Sequence, residues 1–166
     1  MSNVCEERVF KSVYDTHSTY LRNFLYYKSG DLELSKDLMQ DAFQKLWENC
    51  SKVILSKAKS YLFTIANNMF LNQVKRQSVR LQFKKANANE DLAEDPQYLL
   101  EEQEFKLKLE NAISNLPEKQ RIVFLMNRID KKKYREIAEE LNISIKAVEK
   151  RMHQALKVLK EVHKGI

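Results

Sequence analysis

Glycine and proline are nearly missing from this chain, with two of each among 166 residues. A strand-rich or loop-rich fold needs such residues at its turns, so their scarcity excludes that class and favours an all-helical chain. Cysteine is just as scarce. Cys5 and Cys50 match no disulfide framework and no metal-ligand spacing, and they read as reduced thiols of a cytosolic protein. The three histidines, His17, His153 and His163, are scattered. No Gly-rich phosphate cradle, nucleophile elbow or metal constellation is present, so neither an enzyme, a cofactor nor a small-molecule substrate is expected. The chain also lacks a long uncharged run and an apolar signal segment, which points to a soluble, cytoplasmic protein.

What is present is charge and helical periodicity. Lys and Arg outnumber Asp and Glu by 29 to 23, a formal net charge of +6. That balance suits an anionic partner such as nucleic acid, although many helical proteins are simply lysine-rich. The apolar share of 43% suffices for real cores and argues against disorder.

The most informative stretch covers residues 134–159, YREIAEELNISIKAVEKRMHQALKVL. Ile137, Ala138 and Leu141 share the inner face of a short helix. Asn142 tolerates the left-handed backbone of a tight turn, Ile143 plugs it, and Ser144 is a good N-cap for the next helix. That second helix places Val148, Met152, Ala155, Leu156 and Leu159 on one stripe and Lys146, Lys150, His153 and Lys157 on the opposite one. This pattern predicts a helix-turn-helix whose second helix enters a DNA major groove. Taken alone, it also fits a helical hairpin with a solvated lysine face.

The rest of the chain supplies context. Residues 6–28 carry Phe10, Val13, Tyr14, Tyr20, Leu21, Phe24 and Leu25 at helical spacing, and Gly30 is placed to end that helix in a left-handed cap. Residues 34–48 set Leu38, Met39, Ala42, Phe43, Leu46 and Trp47 on one broad face and Asp37, Gln40, Asp41, Gln44 and Glu48 on the other. An acidic, amide-rich face in a basic protein prefers a different partner from the lysine-rich parts. After a poorly periodic segment at 49–59, a third helix turns Tyr61, Leu62, Ile65, Ala66, Met69 and Val74 inward. Asn68, Asn72, Arg76 and Arg80 follow at steps of four outside, with Lys75, Lys84 and Lys85 adding charge. Aromatic Tyr61, Phe63 and Phe70 interleave with these cations, as in single-stranded DNA binding. Each ring taken singly reads as a core position; the stripe as a whole reads as a DNA surface.

Between residues 86 and 104 the charge reverses, with Glu90, Asp91, Glu94, Asp95, Glu101, Glu102 and Glu104 and no Lys or Arg, around Pro96. Such a block predicts a flexible acidic linker over 84–98, between a first domain at 1–83 and a second at 99–166. The second opens with Leu100, Phe105, Leu109, Ala112, Ile113 and Leu116 inward. Leu116-Pro117 ends that helix, and Pro117 suits the first turn of the next. The expected fold is thus all-α, two small helical domains, the second ending in the helix-turn-helix.

Four segments in order, DLMQDAFQKLWEN (37–49), SYLFTIANNMFLNQVKRQ (60–77), NLPEKQRIVFLMNR (115–128) and the helix-turn-helix, resemble a bacterial RNA polymerase sigma factor. The resemblance is to the sigma-70 family, in its small extracytoplasmic-function or group-four type, and it spans about 10–160 without the linker. It implies a non-enzymatic initiation factor that docks on core RNA polymerase, recognises two promoter DNA elements and opens the duplex. An anti-sigma factor is the further partner it implies. By the resemblance, Asp37, Gln40, Asp41, Phe43 and Trp47 meet the clamp helices of the polymerase. The 49–59 loop with Tyr61, Asn68, Asn72, Lys75, Arg76 and Arg80 takes the minus-ten element and holds a base flipped from the stack. Arg135, Ser144, Lys146, Glu149, Lys150, Arg151, His153, Gln154 and Lys157 serve the minus-thirty-five element, and their domain touches the polymerase flap.

Departures limit the transfer. Many relatives have Gly-Thr where Lys146-Ala147 stands here, and arginines where this chain has Glu149, His153 and Gln154. Base preference therefore does not carry over. Glu149 can accept from a cytosine amino group and Gln154 can pair with adenine, or either can face water. The rival reading is a helix-turn-helix transcription regulator with an N-terminal sensing or dimerisation domain. It explains the C-terminal half and leaves the acidic helix and the aromatic-basic segment without a role.

Overall fold

The computed structural model describes residues 3–76 and 96–164. The helices among them are α1 (Glu7–Ser29), α2 (Leu32–Glu48), α3 (Ala58–Arg76), α4 (Pro96–Ser114), α5 (Glu118–Arg128), α6 (Tyr134–Leu141) and α7 (Ile145–Lys164), with a 3₁₀ turn at Leu55–Lys57. Extended pairing among the described residues is limited to one isolated bridge, Asn3 to Ile54. The chain divides into two compact units, Met1–Gln82 and Phe83–Ile166, and the all-helical expectation holds. Most of the acidic connection expected at 84–98 lies outside the described residues. Its last part does not: α4 already begins at Pro96, where a proline costs no helical hydrogen bond.

In the first unit, α1 and α2 form a hairpin. Gly30 adopts φ 69°, and its N–H returns to the Tyr26 carbonyl, closing α1 in the left-handed cap that a residue without Cβ adopts freely. Asp31 then caps α2 by accepting from the Leu34 N–H at 3.1 Å. Buried Ser29 and Ser35 meet hydroxyl to hydroxyl at 3.2 Å beneath this turn. The core interleaves Leu21, Phe24 and Leu25 of α1 with Leu38, Ala42 and Leu46 of α2 and Leu62, Ala66 and Phe70 of α3. Each fully buried Leu or Phe contributes about 1.5–3 kcal/mol. Lys28 lays its stem across this core, with Nζ 5.5 Å from the Phe24 ring centre and 5.3 Å from that of Phe70.

Several sequence expectations change here. Cys5 and Cys50, expected as reduced thiols, are joined in a disulfide with Cα atoms 5.0 Å apart. The hairpin explains it: a turn at Gly30 brings the segment before α1 beside the segment after α2. Spacing along the chain carries no trace of that juxtaposition. Phe63 and Phe70 are core residues, as each ring taken singly reads from the sequence, so these rings do not join the exposed cations of that helix. Val74, expected inward, is 39% exposed, and Trp47, grouped with the apolar face of α2, is 46% exposed.

The second unit packs α4 and α5 on α7. Leu116, Ala155 and Leu159 form a buried cluster, with Leu109, Ala112, Ile113 and Phe124 packed against it. Arg121 is buried with them, because its guanidinium donates to the Leu116 carbonyl at 2.9 Å and the Ser114 carbonyl at 3.3 Å, closing the exposed end of α4. Burial lowers its pKa from the usual arginine value, with Glu118 opposing the shift.

Candidate nucleic-acid interfaces

The helix-turn-helix of the second unit is built by short-range chemistry. Glu136 accepts from the Lys133 N–H at 2.7 Å and starts α6. Asn142 takes φ 53°, ψ 49°, the left-handed turn expected of it, and the Ile143 N–H reaches back to the Ala138 carbonyl at 3.0 Å. Ser144 then accepts from the Ala147 N–H at 3.1 Å, so α7 has the expected cap. Ile137 and Ala138 of α6 and Val148 and Met152 of α7 are buried against each other's helices. Lys132, just before α6, and Glu140 within it form an ion pair at 2.5 Å, both side chains almost inaccessible. Of the lysine triplet, therefore, Lys132 is a structural residue, while Lys131 and Lys133 are exposed.

On the outer side of α7, Lys146, Lys150, His153 and Lys157 are exposed, as the stripe pattern required, and so are Glu149 and Gln154. Arg135 is exposed on α6 and pairs with Glu139 at 3.3 Å, a surface contact of little energetic weight. Arg151 is only half-buried, since it lines a groove of about 670 Å³ with Lys150, Gln154 and the start of α5 from Pro117 to Gln120. Gln120 was not singled out from the sequence, yet its amide donates to Gln154 Oε1 at 3.3 Å. This bond engages the acceptor that Gln154 needs for bidentate pairing with adenine.

In the first unit, Asp37, Gln40 and Asp41 are exposed on α2, whereas Phe43 is 3% exposed. A buried Phe43 cannot meet a partner directly, contrary to its expected place among the polymerase-facing residues. Its ring supports Tyr14 at 4.8 Å and Phe10 at 6.1 Å, and Phe10 packs edge-on against Trp47 at 5.0 Å. Phe10 and Tyr14, four apart on α1, therefore face Phe43 and Trp47, four apart on α2. Matching those two aromatic pairs was the signal available in the sequence. Farther along the polar face, Lys45 and Glu48 pair at 2.8 Å. Their hydrogen bond raises the lysine pKa and lowers that of the glutamate, which also accepts from Gln44.

Asn68, Asn72 and Lys75 are exposed along α3 and Tyr61 is half-buried, its hydroxyl 3.5 Å from the Lys45 carbonyl. Arg76 closes α3, and Arg80 lies outside the described residues. Asp41 and Asn72, assigned to separate sites from the sequence, share a groove of about 330 Å³ between α2 and α3 with Gln44, Lys45 and Gln73. A second cavity, about 420 Å³, opens between the 3₁₀ turn and α3. Val53, Ile54, Tyr61 and Ile65 give it apolar walls, and Lys52, Lys57, Ser60 and Thr64 supply polar groups. Ile54 is 65% exposed. Of these residues the sequence pointed only to Tyr61 and, in general terms, to the 49–59 loop. Among the described residues there is no His/Cys/Asp/Glu group able to hold a metal ion, and no helix is long and apolar enough to cross a membrane.

The two units match two family models separately. Residues 13–80 match Sigma-70 region 2 and residues 106–159 match Sigma-70, region 4. The chain is 28% identical over 158 residues to the RNA polymerase sigma factor YlaC of Bacillus subtilis, covering 90% of this chain and 91% of that protein. It is 27% identical over 149 residues to the ferric citrate uptake sigma factor FecI of Escherichia coli, covering 89% and 86%. Among solved structures it is similar to the sigma factor RpoE of Bartonella quintana in complex with the anti-sigma factor NepR. That match has a TM-score of 0.59 and 27% identity and covers 93% of this chain and 96% of the other.

Proposed function

The chain belongs to the extracytoplasmic-function group of the sigma-70 family, and from that premise we propose a division of its work between two DNA sites and one protein site. It binds core RNA polymerase, directs it to specific promoters and initiates transcription. The observation that carries the reading is the pairing, in one chain, of a region 2 unit and a region 4 unit with different surfaces.

In the second unit, Lys146, Glu149, Lys150, His153 and Gln154 face the bases of the minus-thirty-five element. Ser144, Arg151, Lys157 and, from α6, Arg135 hold the flanking phosphates, which fixes register without reading sequence. In the first unit, Asp37, Gln40, Asp41 and Trp47 meet the polymerase, and Phe43 with Phe10 and Tyr14 holds Trp47 in place. The slot between the 3₁₀ turn and α3 receives one unpaired base of the minus-ten element. Its apolar walls replace the stack the base has left, and Lys52 and Lys57 lie near the phosphates. Asn68, Asn72, Lys75, Arg76 and Arg80 guide the melted strand beyond it.

The protein itself performs no bond chemistry; the polymerase does. Its place is the cytoplasm, where polymerase and promoter are. An anti-sigma factor is a fitting regulator, as the related RpoE is seen with one. A plain helix-turn-helix regulator leaves the region 2 unit without a task. Titrating the purified chain with core polymerase on promoter DNA tests the reading: promoter binding and opening depend on the polymerase. Tight promoter binding by the chain alone would overturn it.

A further inference from the structure

We propose that Cys5 and Cys50 form a reversible thiol–disulfide switch that sets how firmly the base slot of the first unit is held. The inference rests on the reading of that slot given above. Cys50 lies in the turn leaving α2, and Cys5 in the turn entering α1. The segment around Cys5 is itself well fixed. Val4 is fully buried, the Cys5 N–H donates to Asn3 Oδ1 at 3.0 Å, and the Glu6 N–H donates to the Asn3 carbonyl at 3.0 Å.

This fixed turn grips the slot loop at two points. One is the disulfide at Cys50; the other is the bridge between Asn3 and Ile54. Lys52 and Val53, both lining the slot, fall between the two ties, and Ile54 is itself the second tie. The other backbone hydrogen bonds of the loop are short-range: Cys50 N–H to Trp47, Lys52 N–H to Asn49 and Lys57 N–H to Ile54. Cutting the disulfide therefore leaves the Asn3–Ile54 bridge as the remaining backbone tie between this turn and the slot residues Lys52, Val53 and Ile54. The oxidised slot is preorganised and captures a base more tightly, because less loop ordering accompanies binding.

Both cysteines are half-buried, so a small thiol or disulfide can reach them. In the cytoplasm such a bond is conditional rather than permanent. Oxidation by a low-molecular-weight disulfide balances in two steps. One cysteine thiolate attacks a sulfur of the small disulfide, forms a mixed disulfide and expels one small thiolate. The second cysteine thiolate then attacks the protein sulfur of that mixed disulfide and expels the other. Two protein thiols give up two protons and two electrons, and the small disulfide becomes two thiols. Reduction by a small dithiol runs the same steps backwards.

The test uses the full chain, oxidised with glutathione disulfide or reduced with dithiothreitol, and the double variant Cys5→Ser with Cys50→Ser. Two readouts are taken: amide hydrogen exchange of residues 50–57, and retention of polymerase holoenzyme on duplexes carrying a short randomised bubble. Reduction and the double variant should each speed exchange about tenfold and weaken retention by a similar factor, with core polymerase affinity unchanged. Equal retention in both redox states overturns the switch, whether or not exchange changes, and so does a redox effect confined to polymerase affinity. Lys52→Ala and Lys57→Ala in the same retention assay separate the two levels. If they weaken retention while redox state does not, the switch fails and the slot reading stands. If they too are without effect, the slot reading fails and the switch with it.

Discussion

On the proposed division of work, the two units touch DNA in opposite ways. In the second unit the proposed contact surface is centred on the exposed face of one helix, α7, set off from α6 by a turn of three residues. In the first it is concave: a slot assembled from a loop, a 3₁₀ turn and the start of α3. A duplex presents its base edges in a groove, which a protruding helix can enter. An unpaired base presents its flat face, which a walled cavity receives. The difference teaches why, on the proposed reading, one short, basic chain carries two kinds of surface: paired DNA at one site and unpaired DNA at the other call for different shapes.

The largest expected effect tests whether the convex surface depends on the frame behind it. Glu140→Ala removes the carboxylate against which the Lys132 ammonium is buried and should cost the second unit about 3–5 kcal/mol. Its thermal unfolding transition should fall accordingly while that of the first unit stays in place. A single transition shifting as a whole would mean that the units do not unfold separately.

A smaller effect is expected on the recognition face itself. Lys150→Ala should change base preference in the upstream element by about 1–3 kcal/mol, measured by competition among promoter variants. Lys157→Ala should weaken all promoters alike and lower the salt slope by about 0.9 for each phosphate no longer neutralised. Removal of Gln120 sharpens this further: Gln120→Ala releases Gln154 Oε1 and should raise tolerance for, or preference toward, adenine opposite Gln154. No change in preference would show that the amide hydrogen bond does not steer that side chain.

The smallest effect concerns the protein-facing surface of the first unit. A fully buried tryptophan would cost roughly 3–5 kcal/mol on truncation, but Trp47 is 46% exposed. Trp47→Ala should thus lower stability by only about 1 kcal/mol while polymerase affinity falls clearly, as it should for Asp37→Ala and Asp41→Ala. Chemical denaturation and polymerase titration check the two halves of that statement. A large stability loss with unchanged affinity would return Trp47 to the core.

The helix-turn-helix of the second unit was legible in the sequence, because its devices are local. Asn142 in the turn, Ser144 at the cap and the Val148–Met152–Ala155–Leu159 stripe all lie within one stretch of chain. In the first unit the helices and the Gly30 cap were equally legible, for the same reason. The site was not. Whether Phe43 or Trp47 is buried depends on which ring of α1 lies over it, and the two differ by only four positions on one helix. The slot joins Lys52 to Thr64 across a non-periodic segment, and the Cys5–Cys50 bond spans 45 positions. Such pairings are set by how α1, α2 and α3 pack, which no periodicity records.

The separation of the two DNA surfaces is tested most directly on one promoter, with Lys150→Ala and Asn72→Ala compared side by side in holoenzyme. Upstream binding is read by footprinting of the minus-thirty-five element, and strand opening by permanganate reactivity of unpaired thymines. Lys150→Ala should weaken the upstream footprint, and the opening it loses should return when that element is bypassed with a pre-melted template. Asn72→Ala should leave the footprint intact and lose the permanganate signal. If both variants instead fail alike at the upstream element, the two surfaces do not act on separate DNA sites.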